Sequence, residues 1–207
     1  YPCVIKVFKA AEDGADRNAH VFEAKDWKTD MLQLQLMQDV CRCFNARTRA
    51  NKDIHCASPL LAQVRNGGMT WFLFWEWHND WREGEWVCIE PLLKGEFEKW
   101  ISNSGWVNTQ ANAKLAPALS HYSWAYSGGK WCATDLQGVR SAECYMLTDP
   151  AIQSNTHFGG LYGPTDLGTR GIRAFFSTHE CNEFCADLPR PYAFDIDTRD
   201  IPVKKQT

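Results

Sequence analysis

Thiolate sulfur and imidazole nitrogen are the preferred donors for zinc, and His179-Glu180-Cys181-Asn182-Glu183-Phe184-Cys185 offers three of them in one short run. On a helix, Cys181 and Cys185 stand four apart and share a face, with His179 just before them. Three donors leave one tetrahedral position open, which a structural site must close. His121, in a helical stretch upstream, is the candidate for that position. The same residues also read as two core cysteines beside an unrelated histidine.

A second chemistry is written in Asp135-Leu136-Gln137-Gly138 and Leu147-Thr148-Asp149-Pro150. Each has an acid at the end of a short apolar strand, followed by a turn. Carboxylate and amide oxygens are the hard donors that Mg²⁺ takes. A further carboxylate can accept a hydroxyl proton, and phosphoryl transfer uses this set. Both acids also read as plain turn residues, because Asp-Pro and Gln-Gly are common turn dipeptides. A glycine-rich run follows, Gly159-Gly160 and then Gly163-Pro-Thr-Asp-Leu-Gly168-Thr-Arg-Gly171. Such a run lets backbone N–H groups approach a ligand or a peptide. It follows Asp149 rather than an opening strand, so it is no P-loop or dinucleotide fingerprint.

Several elements must position these groups. Spacing predicts a helix from Gly168 to Leu188 and another from Asn112 to Tyr126, capped or kinked at Pro117. Trp131–Leu136 and Glu143–Leu147 read as short strands joined by a turn, and Gly95 to Ser102 reads as helix. Upstream, residues 3–8 read as a strand and Asp13 to Asp16 as a turn. A helix is expected from about Val21 to Phe44, ended by the polar stretch Asn45–Asp53. Strands follow near Leu60–Val64, Thr70–Trp75 and Glu85–Glu90, with Asn66-Gly67-Gly68 as the hairpin turn between the first two. The expected architecture is α+β in two lobes, with a boundary near Glu90–Gly95.

Bulk properties narrow the classes. A chain of 207 residues fits one ordinary domain or two small lobes sharing a cleft. The net charge of −3 and the lack of a dense Lys/Arg stripe argue against a nucleic-acid partner. Lys204–Lys205 reads as a solvated end. No apolar run approaches the ~20 residues that span a bilayer, and no secretory leader is legible, so no membrane insertion is expected. Nine cysteines, an odd number scattered through apolar segments, do not suggest a disulfide framework. Small core thiols in a reducing compartment, the cytoplasm, are expected instead.

In this order, D-L-Q-G, L-T-D-P, the G-P-T-x-L-G-x-R-G loop and H-x-C-x-x-x-C resemble the alpha-type (atypical) protein kinases. That family includes the myosin heavy chain kinases, elongation factor 2 kinase and the kinase domains fused to certain ion channels. Val87-Cys-Ile-Glu90-Pro91-Leu-Leu93-Lys-Gly95-Glu-Phe-Glu-Lys99 looks like the family's hinge segment, and Ser120-His121-Tyr-Ser matches the place of its other zinc histidine. The resemblance is clear from about Trp86 to Cys185 and weaker before Leu60.

The resemblance implies a two-lobed protein-kinase-like fold with a zinc-stabilised C-lobe. It implies transfer of the γ-phosphate of ATP to serine or threonine on a protein substrate. Lys6 looks like the strand lysine that holds the ATP phosphates. Glu90 and Leu93 would meet the adenine, and Lys99 would lie on the ribose side. Gln137 and Asp149 would hold Mg²⁺, and Asp135 would be the catalytic aspartate. His121, His179, Cys181 and Cys185 would bind Zn²⁺. Gly163, Gly168 and Gly171 would face the protein substrate, and Asp166 stands where several relatives carry Asn.

The expected division is an N-lobe over residues 1–94, incomplete because it begins at the Lys6 strand, a C-lobe over 95–192 and a tail over 193–207. Flanking domains or oligomerisation segments are expected outside this stretch. Glu23, Asp30 and Asp39 are the candidates for the acidic partner of Lys6. The alternative function is a catalytically inactive, zinc-stabilised kinase-like scaffold.

Overall fold

The structure, a computed structural model, describes residues 2–8, 21–65, 70–72, 75–77, 82–110 and 113–191. In chain order the elements are β1 (Cys3–Lys6), α1 (Lys28–Thr48), β2 (Asp53–Cys56), β3 (Leu60–Gln63), β4 (Thr70–Phe72), β5 (Trp75–Trp77), β6 (Trp86–Pro91), β7 (Phe97–Lys99), α2 (Leu115–Tyr126), β8 (Trp131–Thr134), β9 (Gln137–Arg140), β10 (Cys144–Thr148), β11 (Ala151–Ser154) and α3 (Thr169–Thr178). Two units emerge, Tyr1–Met31 with Ser58–Leu92, and Leu32–Ala57 with Leu93–Thr207. The units therefore do not follow a single cut in the sequence, because most of α1 and all of β2 group with the second.

In the first unit, β6 is the central strand of an antiparallel sheet ordered β1-β6-β3. Its Trp-Val-Cys-Ile sequence suits a half-buried pleated surface, and Val87 and Cys88 are buried. Ile5, Ile89 and Leu60 stand in one cross-strand row. Trp27 is buried, and its indole N–H donates to the Trp86 carbonyl at 2.8 Å. Phe8 lies over Trp27 with ring centroids 4.3 Å apart. β4 and β5 form a separate antiparallel pair. The expected turns at Asp13–Asp16 and Asn66-Gly67-Gly68 lie outside the described residues.

In the second unit, α1 buries Gln33, Leu34, Met37, Val40, Cys41 and Phe44. That three- and four-residue spacing is one face of a helix. A four-stranded sheet runs β2-β10-β9-β7, with β2 parallel to β10. A two-stranded pair, β8 with β11, lies against α2 and α3. Trp100, Leu119, Leu136, Leu147, Ile152 and Phe175 are fully buried. Pro117 is the third residue of α2, where its missing N–H would have had no intrahelical partner.

Four local expectations are corrected. Gly95 to Ser102 is not helical: Phe97–Lys99 is an edge strand paired with β9, so sheet pairing outweighs helix propensity there. The helix ending at Leu188 stops at Thr178, where the Ser177 and Thr178 hydroxyls donate back to the Ala174 and Phe175 carbonyls and His179 is extended. Cys181 and Cys185 thus lie in the irregular segment that follows α3. β8 does not pair with β10; it pairs with β11, and the short strand β9 takes β10. Asp53, expected to end the polar stretch Asn45–Asp53, instead opens β2, Asp53–Cys56.

Candidate active site and metal centre

Thr134 stands opposite Ala151, and Gln137 stands opposite Thr148. Two residues intervene on each side, so the register of β8–β9 against β10–β11 runs through unbroken. The ribbon nevertheless changes sheet at this point. Both breaks occur at an aspartate in the left-handed region, Asp135 at φ 53° and Asp149 at φ 48°. Left-handed backbone is uncommon outside glycine and is most tolerated by Asn and Asp. At the first break Asp135 is half-buried and at the second Asp149 is exposed, while the next residue, Leu136 or Pro150, is buried. One junction thereby collects both acids.

Lys99, Gln137 and Thr148 form a cross-strand row at the same end of the four-stranded sheet. The Lys99 ammonium lies 2.7 Å from Oδ1 of Asp135. Lys99, assigned by resemblance to the ribose side, therefore meets the aspartate in this structure. Register thus places Asp135, Gln137, Asp149 and Lys99 at one junction, and carboxylate and amide oxygens are the donor types that a divalent cation takes.

In the first unit, Lys6 pairs with Glu90, Nζ to Oε1 at 2.7 Å. Val4 is the cross-strand partner of Glu90, so Lys6 reaches it diagonally along one sheet face. The Glu90 side chain is only 4% exposed, and a buried carboxylate requires such a partner. Among the described residues, the acid seen against Lys6 is thus a hinge residue, Glu90, where Glu23, Asp30 and Asp39 are the expected candidates. Glu23 pairs with Lys25, and Asp39 with Arg42. Leu93 is half-buried just beyond β6.

The glycine-rich loop hangs on two side chains. The carboxylate of buried Asp166 accepts from the backbone N–H groups of Ser154 and Gly168, each at 2.8 Å, and of Tyr162 at 3.2 Å. Gln153 accepts from Leu167 N at 2.6 Å and donates to Thr134 Oγ1 at 2.8 Å and to Asn103 Oδ1. Gly168 has φ 65°, and a Cβ there would stand 2.3 Å from the Thr156 carbonyl oxygen, so no side chain fits. A Cβ at Gly171 would meet the Gln153 amide at 2.2 Å. Gly163, also left-handed, lies earlier in the loop. Gln153 and Asn103 carry no motif and could not have been found from spacing.

His121, His179, Cys181 and Cys185 place their donor atoms within 4.8 Å of one another. His121 comes from α2, His179 from the end of α3, and the cysteines from the irregular segment beyond it. Cys181 Sγ lies 3.6 Å from His121 Nδ1, and Cys185 Sγ 3.5 Å from His179 Nε2. Zinc bonds of about 2.3 Å to sulfur and about 2.05 Å to nitrogen, set tetrahedrally, give a sulfur–nitrogen edge of about 3.6 Å. The donor types therefore suit zinc, and these two edges have the length of a tetrahedral site. His121 Nε2 faces the Pro189 carbonyl at 3.1 Å, which leaves Nδ1 free to coordinate. Burial, reinforced by His121 and Arg190, pushes His179 down to about 4, so its imidazole is in the neutral, ligating form. Burial pushes the metal-free Cys185 thiol up to about 11, and a bound cation reverses that preference.

Comparison with known proteins follows the same lines. The profile of the alpha-kinase family matches residues 1–185. The chain is 38% identical over 100 residues to the alpha-protein kinase vwkA of Dictyostelium discoideum, covering 48% of this chain and 16% of that protein. It is 40% identical over 101 residues to the eukaryotic elongation factor 2 kinase of Caenorhabditis elegans, covering 48% of this chain and 12% of that protein. The chain thus spans a small part of the relatives it matches. Among solved structures, the alpha-kinase domain of myosin heavy chain kinase A in complex with AMP superposes with a TM-score of 0.67 at 26% identity, over 90% of this chain and 66% of that one. An alpha kinase from Entamoeba histolytica, 22% identical, shares the fold with a TM-score of 0.68 over 92% of this chain and 70% of that one. The α+β kinase-like fold is therefore that of alpha-kinase domains, and the chain belongs to the alpha-kinase family.

Proposed function

We propose that this chain is the catalytic domain of a cytoplasmic protein serine/threonine kinase that transfers the γ-phosphate of ATP to a protein substrate. The unbroken register that gathers two left-handed aspartates at one junction, beside Gln137 and Lys99, carries this reading. Residues held in sparsely populated backbone regions cluster at active sites. Phosphoryl transfer depends mainly on positioning and charge neutralisation.

In this reading Gln137 and Asp149 hold Mg²⁺, which when bound neutralises phosphate charge. Asp135 orients the substrate hydroxyl and accepts its proton, and the ion pair with Lys99 fixes where its carboxylate points. Lys6 binds ATP phosphate, and Glu90 and Leu93 serve the adenine. Gly163, Gly168 and Gly171 face the protein substrate. His121, His179, Cys181 and Cys185 hold a structural Zn²⁺ that ties the turns beyond α3 to α2. The buried neutral imidazoles and the tetrahedral donor spacings support that assignment.

The test is transfer of label from γ-³²P-ATP to protein. Incorporation is expected with the natural aspartate and is lost in Asp149→Ala. Equal incorporation by Asp149→Ala refutes the assignment. Nucleotide binding with no transfer at all returns the inactive scaffold.

A further inference from the structure

Beyond Cys185 the chain turns back along the donor cluster, and two consecutive residues there touch three of the four donor residues. The Pro189 carbonyl meets Nε2 of His121 at 3.1 Å. Arg190 spreads its guanidinium over three acceptors. It donates to the Phe176 carbonyl at 2.8 Å, to the His179 carbonyl at 3.3 Å from both terminal nitrogens, and to Cys181 Sγ at 3.3 Å. Its guanidinium carbon also stands 5.5 Å from the centre of the Phe176 ring.

Cys181 is the exposed donor of the set, whereas Cys185 is buried. An exposed thiolate is the one open to water and to competing electrophiles. A planar guanidinium fork can bind that sulfur while anchored on two carbonyls and a ring, which a flexible ammonium does less well. Its charge offsets the negative charge of the ligating sulfur. The same contact to the His179 carbonyl fixes the backbone from which His179 and Cys181 depart.

We propose that Pro189–Arg190 is an outer clasp of the His121/His179/Cys181/Cys185 centre, with Arg190 the positioning residue that holds Cys181 on the metal and screens its sulfur. The proposal rests on the zinc reading above. Outer partners of metal ligands typically change metal affinity about 10–100-fold, and exposure to solvent puts Arg190 at the lower end of that range.

The experiment uses the whole chain, purified with its metal. Three quantities are measured: zinc per chain, the rate of zinc transfer to the chromogenic chelator 4-(2-pyridylazo)resorcinol, and the rate of Cys181 alkylation by iodoacetamide, mapped by peptide mass. Arg190→Met keeps the bulk of the stem and should speed zinc transfer about tenfold, with Cys181 alkylated ahead of Cys185. Arg190→Lys should fall between Arg190→Met and the natural chain. A zinc-loaded natural chain with unchanged rates in Arg190→Met overturns the clasp and leaves the zinc reading standing. A chain that purifies without zinc overturns both. Should Arg190→Met not fold, Arg190→Gln decides by the same two rates.

Discussion

Asp166 offers a quantitative test of what holds the glycine-rich loop. Its carboxylate, 5% exposed, is the acceptor for three backbone donors: Ser154, Gly168 and Tyr162. The first two bonds are buried, so Asp166→Ala orphans two N–H groups that water reaches poorly. Leaving a buried donor unsatisfied costs about 1–3 kcal/mol each, so a loss of about 3–5 kcal/mol is expected after partial relaxation. Asp166→Asn behaves differently. Its amide oxygen keeps the bonds from Ser154 and Gly168, while its NH₂ turns toward the Tyr162 N–H, losing one part-buried bond at about 1 kcal/mol. Urea unfolding followed by tryptophan fluorescence reads the difference, and native-state amide exchange at Ser154 and Gly168 localises it. A loss under about 1 kcal/mol in Asp166→Ala, or equal losses in the two variants, refutes the account of the loop.

Other outcomes follow from the same geometry. Lys6→Met removes the ammonium that lies 2.7 Å from the Glu90 carboxylate, itself 4% exposed; a cost of about 1–3 kcal/mol is expected, together with loss of nucleotide binding. Adding Glu90→Gln should recover part of that stability, and a double variant no more stable than the single one argues against the pair. His179 titrates at about 4 in the folded chain and near 6.5 when unfolded. The unfolded state therefore binds more protons between those values, and stability falls as pH drops through that window, by about 2 kcal/mol at pH 5. Proton competition with a bound metal acts in the same direction. Denaturant midpoints that stay flat from pH 8 to 5 contradict it.

Much of the chemistry was legible in the linear order of residues. The donor types of the His-Cys cluster and the paired acids in Asp135-Leu-Gln and Thr148-Asp149-Pro are properties of local sequence, and so is the glycine density before α3. The long helix showed in its spacing because one face of it is buried. Less legible were the elements whose state depends on a distant partner. Phe97–Lys99 has helix-compatible residues yet pairs with β9, and no periodicity marks a four-residue strand such as β2.

The sequence by itself determined which groups are available and in what order, because side-chain chemistry does not depend on the fold. Tertiary structure alone decided which groups meet. It set Lys6 against Glu90, since sheet register fixes that diagonal. It set Lys99 against Asp135, gathered both acids at one junction of a continuous ribbon, and brought His121 onto Cys181. Those contacts join residues far apart in the chain, and only burial and register bring them within bonding distance.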